Sequence, residues 1–370
     1  MKFFSLFSGI GAPEKALNRL NVKYDLIGYS EIDKYASKSY SAIHKVPESM
    51  NFGDITKINE NELPKDIDLV TYGFPCQDIS NAGKMAGLFD EEGKRTRSGL
   101  FFDALRIIKE TQPRIAIAEN VKNLTSKKFK EQFDIVLNSL EDSGYNNYWK
   151  VLNATDHNIP QNRERVFIVS VRKDVDTGIF SFPQKTKLQL RLGDILETEV
   201  DEKFYISPAL LEGFIRRKRI NEEKGNGFGF CVKDKNEISP TITARYYKDG
   251  AECLIVREAT KKGYSEATTG DSINLEHPKS KTRRGRVGRG VAQTITTSPQ
   301  QAVVKNNLQL RKLTPKECFR LMGFDDNDFQ AAASFNSNTQ LYKQAENSIV
   351  VPVLEAIFKE LLKANLLKGE

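Results

Sequence analysis

The stretch DLVTYGFPCQDIS (68–80) sets a cysteine, Cys76, where an apolar run gives way to polar residues. Leu69, Val70, Thr71 and Tyr72 form the run, Gly73 bends the chain after it, and Pro75 stiffens the turn. A lone free cysteine is commonly an inert core residue. The residues after this one cannot form a core, so the thiol is expected at an accessible strand end, where a nucleophile could act. In IAIAEN (115–120) Glu119 and Asn120 close a second apolar run. A carboxylate against apolar strand residues has its ionised form disfavoured, which suits it to hold or donate a proton near neutral pH, unless it simply caps the next segment.

PQNRERVFIV (160–169) places Gln161, Arg163 and Arg165 at alternate positions, on one face of an extended segment. Two guanidiniums so arranged suit a planar polar ligand or a phosphate, or pair with nearby carboxylates. FSLFSGIGAPEKAL (4–17) runs from a strand through Gly9 and Gly11 into a helix opening at Pro13. Glycine lets the backbone take positive φ and approach a ligand closely, and the helix start offers free N–H groups to an anionic group, unless this is only a tight strand-to-helix turn with no ligand. Glu31 follows about twenty residues on, at the end of the next strand, where a carboxylate could accept ribose hydroxyls, although an acid after a strand is common.

Positioning these residues falls to an alternation of apolar runs and amphipathic segments. Strands are expected within 3–7, 24–30, 67–74, 114–120, 147–154 and 165–172, and helices within 13–20, 33–44, 99–111 and 127–142. Strands separated by helices of this length predict an α/β fold with a doubly wound, mostly parallel sheet and ligands at the carboxyl ends of its strands. After about residue 188 the texture turns to Lys, Arg, Gly and Thr with short β-like runs, as in ECLIV (252–256), and a helical period near 208–220. This predicts a smaller, mostly β or irregular domain, with boundaries at 1–188, 189–325 and 326–370. SPTITARYYKDGAECLIV (239–256) echoes AQTITTSPQQAVV (292–304), as a repeated β element or as a chance match. The long charged loop 78–98 beside Cys76 has the length of a functional lid.

Composition bounds the rest. Lys and Arg number 56 against 49 Asp and Glu, a formal charge of +7, which favours a polyanionic partner without requiring one. Cys76, Cys231, Cys253 and Cys318 stand far apart without zinc-site spacing, so reduced thiols, no metal and a cytoplasmic chain are expected. The opening MKFFSLFSGIGAPEKAL is apolar only to Ile10, and reads as neither a signal peptide nor a membrane span.

In order, FSLFSGIGA, GFPCQDIS, AENV and QNRERVFIV resemble the successive motifs of the DNA (cytosine-5)-methyltransferases. RKLTPKECFRLMGF (311–324) and QAENSIVVPVLEAI (344–357) extend the resemblance, leaving only about 173–290 without specific motifs. It implies a Rossmann-like domain that uses S-adenosyl-L-methionine and leaves S-adenosyl-L-homocysteine, with a target-recognition domain beside it. The implied reaction methylates carbon 5 of a flipped-out cytosine within a short sequence of double-stranded DNA. Cys76 would add to carbon 6, Glu119 would act as acid at N3, Arg165 would face O2, and Arg163 would support the site or the DNA backbone.

For the cofactor, the resemblance implies Phe7, Gly9 and Gly11 around the methionine part and Glu31 on the ribose. Ile32 would lie against adenine, Asp54 and Ile55 at its edge and Leu100 below, with Asn347 and Ser348 closing the pocket. Gln77 and Ser80 would touch DNA, and the basic runs RRKR (216–219) and HPKSKTRRGRVGRG (277–290), the latter with Arg283, Arg284 and Arg286, fit duplex phosphates or form solvated loops. Thr294, in the pair Thr294-Ile295, resembles the family's target-recognition pair, and Thr241-Ile242 competes for that role. The chain departs from the pattern at Glu346, where a glycine usually precedes the Asn-Ser pair, which predicts altered backbone geometry or an added negative charge near the cofactor. A monomer is implied, acting either as an orphan or phage enzyme or beside a cognate restriction endonuclease. The rival readings are a tRNA methyltransferase, a silent DNA-binding regulator and a nicotinamide enzyme. The length of the basic recognition segment opposes the first, and the intact set Cys76, Glu119 and Arg165 opposes the other two.

Overall fold

The computed structural model describes residues 1–79, 85–225, 230–233, 235–243, 246–256, 272–274, 287–288, 301–303 and 310–367. Its first half alternates as the sequence predicts: β1 (Lys2–Leu6), α1 (Ala12–Arg19), β2 (Asp25–Ser30), α2 (Lys34–His44), β3 (Leu69–Tyr72), α3 (Phe101–Thr111), β4 (Ile115–Val121), α4 (Lys130–Glu141), β5 (Tyr145–Asn153) and β6 (Glu164–Arg172). There follow α5 (Leu192–Ile195), α6 (Pro208–Glu223), β7 (Val232–Lys233), α7 (Tyr246–Asp249), β8 (Leu254–Val256), β9 (Ser272–Asn274), β10 (Val287–Gly288), β11 (Gln301–Val303) and β12 (Leu310–Lys312). The chain closes with α8 (Pro315–Leu321), α9 (Asp326–Ala333), α10 (Asn338–Asn347) and α11 (Val351–Lys363).

The six long strands form one sheet in the order β2-β1-β3-β4-β6-β5. β1 pairs in parallel with β2 and β3, and β3 with β4, whereas β6 runs antiparallel to both β4 and β5. Register decides where the functional residues fall. Leu6 lies opposite both Ser30 and Tyr72, and Tyr72 opposite Ala118, so the chain leaves β1, β2, β3 and β4 along one edge. Because β6 is reversed, its first residues meet the last of β4, with Arg165 opposite Val121.

Apolar side chains on the sheet face the helices at the expected periods. Phe4, Leu6, Val70, Tyr72, Ala116, Ala118, Val166 and Ile168 join Phe101, Leu105 and Ile108 of α3 and Phe133, Val136 and Leu140 of α4 in one buried cluster. α1 packs on α11, and α2 on α9.

Two compact units emerge, and neither is continuous in sequence. One comprises Met1–Glu197, Lys235–Tyr247 and Thr314–Glu370, the other Thr198–Asp234 and Lys248–Leu313. Residues 189–197, 235–247 and 314–325, expected in the recognition segment, thus lie in the sheet-bearing unit. Within the second unit Phe214 of α6, Leu254 and Leu310 form a small core, and the strands run in the orders β12-β8-β7 and β10-β9-β11. Of the two echoing segments, 239–256 is described except for 244–245, while only 301–303 of 292–304 is.

Candidate active site

Cys76 lies four residues beyond β3 on a turn fixed at several points. Phe74 is buried against Phe101, with ring centroids 5.5 Å apart. The carbonyl of Phe74 accepts from Asn120 Nδ2 at 3.0 Å, and that of Cys76 accepts from Ile79 N at 3.0 Å. The thiol is free but half-buried, less accessible than the sequence implies. Glu119 reaches toward this turn, its Oε2 standing 3.7 Å from where a Cβ on Gly73 would sit.

Strand parity accounts for the partner of Glu119. Glu119 and Val121 share a face of β4, and Arg165 lies opposite Val121, so Arg165 and Glu119 are diagonal neighbours within reach of a long side chain. Arg165 Nε sits 3.1 Å from Glu119 Oε1. Arg163 is almost wholly buried, and its Nη2 donates to the main-chain carbonyls of Glu346 at 2.7 Å and Ser348 at 3.0 Å. Its Nε and Nη1, and both amide atoms of Gln161, are buried without a partner among the described residues. Buried polar atoms left unpaired are costly, so these groups call for a polar ligand or for water.

Burial dominates the electrostatics. It raises the pKa of the Glu119 carboxyl, against the pull of Arg165 and Arg163. Burial likewise pushes the Cys76 thiol up to about 11, with Glu119 and Glu346 adding to the rise and Arg165 and Arg163 opposing it. Desolvation, and then Arg165, lower Arg163 to about 10, so it remains a cation at neutral pH.

A narrow cavity of about 30 Å³ joins this cluster to the glycine turn, lined among others by Phe7, Ser8, Pro13, Glu119, Asn347 and Ser348. Phe7, Gly9 and Gly11 all hold left-handed backbone, with φ of 51°, 56° and 79°. Glu31 secures the turn from β2, its Oε2 accepting from Gly9 N at 2.9 Å and its Oε1 from Asp33 N at 2.7 Å. Of the expected cofactor residues only Phe7, Asn347 and Ser348 line this cavity; Gly9, Gly11, Glu31, Ile32, Asp54, Ile55 and Leu100 do not. Ile32 is 76% exposed beside Glu31, Asp54 caps a helical turn through Thr56, Ile55 belongs to the buried core, and Leu100 packs on that core from its margin.

The donor set fits an adenosylated amino acid. Ser8 Oγ is buried without a partner among the described residues, the Glu31 carboxylate keeps acceptor capacity beyond its two N–H bonds, and Ile32 offers an apolar face. Among the described residues no group of three or more His, Cys, Asp or Glu is arranged to hold a metal ion. Glu346 is helical and lacks positive φ, so the absent glycine leaves the backbone unstrained and its charge remains the difference.

For the residues expected to touch DNA, Gln77 is exposed and accepts from Arg97 Nη1 at 2.7 Å. Ser80, Arg283, Arg284, Arg286 and Thr294 lie outside the described residues. Thr241 is described, and its Oγ1 donates to the carbonyl of Asn162 at 2.6 Å, beside a bridge between Gln161 and Ser239. The described parts of the 78–98 loop are pinned rather than free: Asp78 N donates to Ser98 Oγ at 3.3 Å, and Gly87 N to the carbonyl of Asp78 at 2.7 Å.

Sequence reasoning overlooks Asn51. Its Oδ1 accepts from Glu31 N at 3.0 Å and Gly53 N at 2.9 Å, and its Nδ2 donates to the carbonyl of Glu31 at 2.9 Å, tying Glu31 to the segment that carries Asp54. An asparagine in NFGDI has no periodic signal of its own. Asn120 does carry one, since it follows Glu119 at a strand end.

The family model described as C-5 cytosine-specific DNA methylase matches residues 1–363. The chain belongs to this family. It is a DNA (cytosine-5-)-methyltransferase with the Rossmann-like fold, and the family in general uses S-adenosylmethionine and acts on double-stranded DNA. Orphan methyltransferase M.SPRI of Bacillus phage SPR is 34% identical, over 98% of this chain and 97% of the relative. Type II methyltransferase M.SsoII of Shigella sonnei is 36% identical, over 98% of this chain and 80% of the relative. The crystal structure of S. pombe Dnmt2 methyltransferase matches with a TM-score of 0.63 at 20% identity, over 98% of both chains, a likeness of fold alone. Among the described residues of this methyltransferase no helix is long and apolar enough to cross a membrane.

Proposed function

We propose that this methyltransferase modifies carbon 5 of a flipped-out cytosine in a short, specific sequence of double-stranded DNA, through a covalent bond from Cys76. The observation that carries the reading is the convergence, at one sheet edge, of Cys76, the Glu119–Arg165 pair at 3.1 Å and the buried Arg163, beside a cavity leading to the glycine turn.

When bound at that turn, S-adenosyl-L-methionine supplies an electrophilic methyl group. Carbon 5 of cytosine is a weak nucleophile until something adds to carbon 6. Cys76 gives its proton to solvent, and its Sγ bonds to carbon 6. Glu119, whose protonated form burial favours, donates a proton to N3 as negative charge builds on the ring, and Arg165 steadies O2. A neutral Glu119 also ceases to raise the thiol, so the acid's protonation assists the nucleophile. After transfer, water takes the carbon-5 proton, Glu119 recovers the proton from N3, and Sγ leaves carbon 6 as a thiolate that regains a proton from solvent. Arg163 holds the main chain of Glu346 and Ser348 against this centre, and Glu31 would accept from the ribose hydroxyls of the cofactor.

Sequence reading is assigned to the unit of 198–234 and 248–313, because the sheet edge is occupied by cofactor and cytosine residues. Methylation-sensitive sequencing of DNA from cells expressing the chain tests the reaction and gives the motif. One short recurring motif carrying 5-methylcytosine supports the reading, and no 5-methylcytosine above background contradicts it. A nearby restriction gene separates a restriction-modification role from an orphan or phage one.

A further inference from the structure

Below the glycine turn lies a polar cluster that the mechanism does not use. His44, the last residue of α2, has its Nε2 3.0 Å from the carbonyl oxygen of Ile10, the residue between Gly9 and Gly11. Its ring leans on Tyr40 at 4.8 Å, and Tyr40 stacks on Tyr29 of β2 at 3.9 Å. The Tyr40 hydroxyl donates to Glu14 Oε1 at 2.7 Å, and Glu14 stands fully buried in the first turn of α1. Thus α2 grips the turn itself through His44 and the helix that leaves the turn through Tyr40.

The fit is close enough to dictate a residue. A Cβ on Gly11 would come within 2.2 Å of His44 Nε2 and 2.9 Å of Tyr40 Cε2, so the two rings fill the space that glycine leaves. Burial pushes His44 down to about 4, which makes the ring neutral at working pH. A carbonyl is a pure acceptor, so the hydrogen of that neutral ring sits on Nε2. The turn needs such a hold, because Phe7 takes a left-handed conformation that a non-glycine residue adopts only when its surroundings enforce it.

We propose that His44 and Tyr40 are positioning residues for the cofactor: the neutral imidazole, donating from Nε2 to the Ile10 carbonyl, holds the Gly9–Gly11 turn in its binding shape. The inference rests on the reading of that turn as the S-adenosylmethionine site. Calorimetric titration of the full-length enzyme with S-adenosylhomocysteine, beside steady-state kinetics, tests both separately. No binding by the unaltered enzyme would overturn the site reading itself.

With that control positive, His44→Phe keeps the ring and removes the donor. Loss of one hydrogen bond predicts affinity weakened by up to about tenfold, KM for the methyl donor raised alike, and kcat within about twofold. His44→Gln, whose amide can still donate, is expected to stay near the unaltered value. If the Phe variant does not fold, His44→Leu supplies the same comparison. Unchanged affinity in the donor-free variant would overturn the inference. So would equal weakening in the Phe and Gln variants, or parallel loss of DNA affinity, since either marks packing rather than a hold on the turn.

Discussion

At Glu119 one carboxyl meets burial on one side and a guanidinium on the other, and burial prevails, so its pKa is raised. Glu119→Gln retains the hydrogen-bonding shape but has no proton to pass to N3, and should lower kcat by about 10²- to 10⁴-fold with DNA affinity intact. Single-turnover methylation of a duplex carrying the motif measures this, and a rate within twofold of the unaltered enzyme would make Glu119 structural. Glu346 acts in the other direction, because its charge adds to the rise of the thiol. Glu346→Gln should lower the Cys76 pKa below about 11 and speed alkylation at pH 8, followed by mass spectrometry of the Cys76 peptide. An unchanged pH profile would place that carboxylate out of electrostatic reach. Cys76, Glu119 and Arg165 were legible because each ends or opens an apolar run. Asn51 and His44 were not, because they act by hydrogen bonds to main chain that no period in the sequence reports.

Among elements, the contact between α1 and α2 has a signature in pH. Burial raises Glu14 from 4.5 to about 7, so between those values the folded chain keeps a proton that the unfolded chain has lost, and stability falls as pH rises. Burial lowers His44 from 6.5 to about 4, so over that interval the unfolded chain holds the extra proton and stability rises with pH. Each slope is on the order of 1 kcal/mol per pH unit, and the two oppose each other from about pH 4.5 to about 6.5. Glu14→Gln should therefore unmask a rise in urea midpoint across that window, where the unaltered protein is flatter. Identical profiles would show that Glu14 titrates normally. The strands and helices of 1–172 were legible because periods of two and of 3.6 alternate cleanly. The reversal of β6 was not drawn from the sequence, although the ten residues between Asn153 and Glu164 are too few for a parallel crossover. That reversal is what brings Arg165 to Glu119.

For the whole molecule, the chain leaves the sheet-bearing unit and returns to it twice, at Lys235 and at Thr314. Composition marks where the texture changes after 188, but it cannot mark a return, because SPTITAR is as β-prone in one unit as in the other. Recognition should still be separable from chemistry. Replacing Arg283, Arg284 and Arg286 with alanine is expected to weaken DNA binding and flatten its salt dependence by up to about three phosphate contacts, leaving the methylated motif unchanged. Filter binding across salt concentrations reads this, and unchanged affinity at low salt would put the binding surface elsewhere. The central claim is the bond between Cys76 and cytosine. Fluorine at carbon 5 cannot leave as a proton does, so a motif duplex carrying 5-fluorocytosine should trap the enzyme after methyl transfer. The measurement is denaturing electrophoresis of enzyme, trap duplex and S-adenosylmethionine, with peptide mapping of any adduct. The expected result is a stable adduct mapped to Cys76 and absent from Cys76→Ala; methylation of the ordinary duplex by Cys76→Ala at near-normal rate would contradict it.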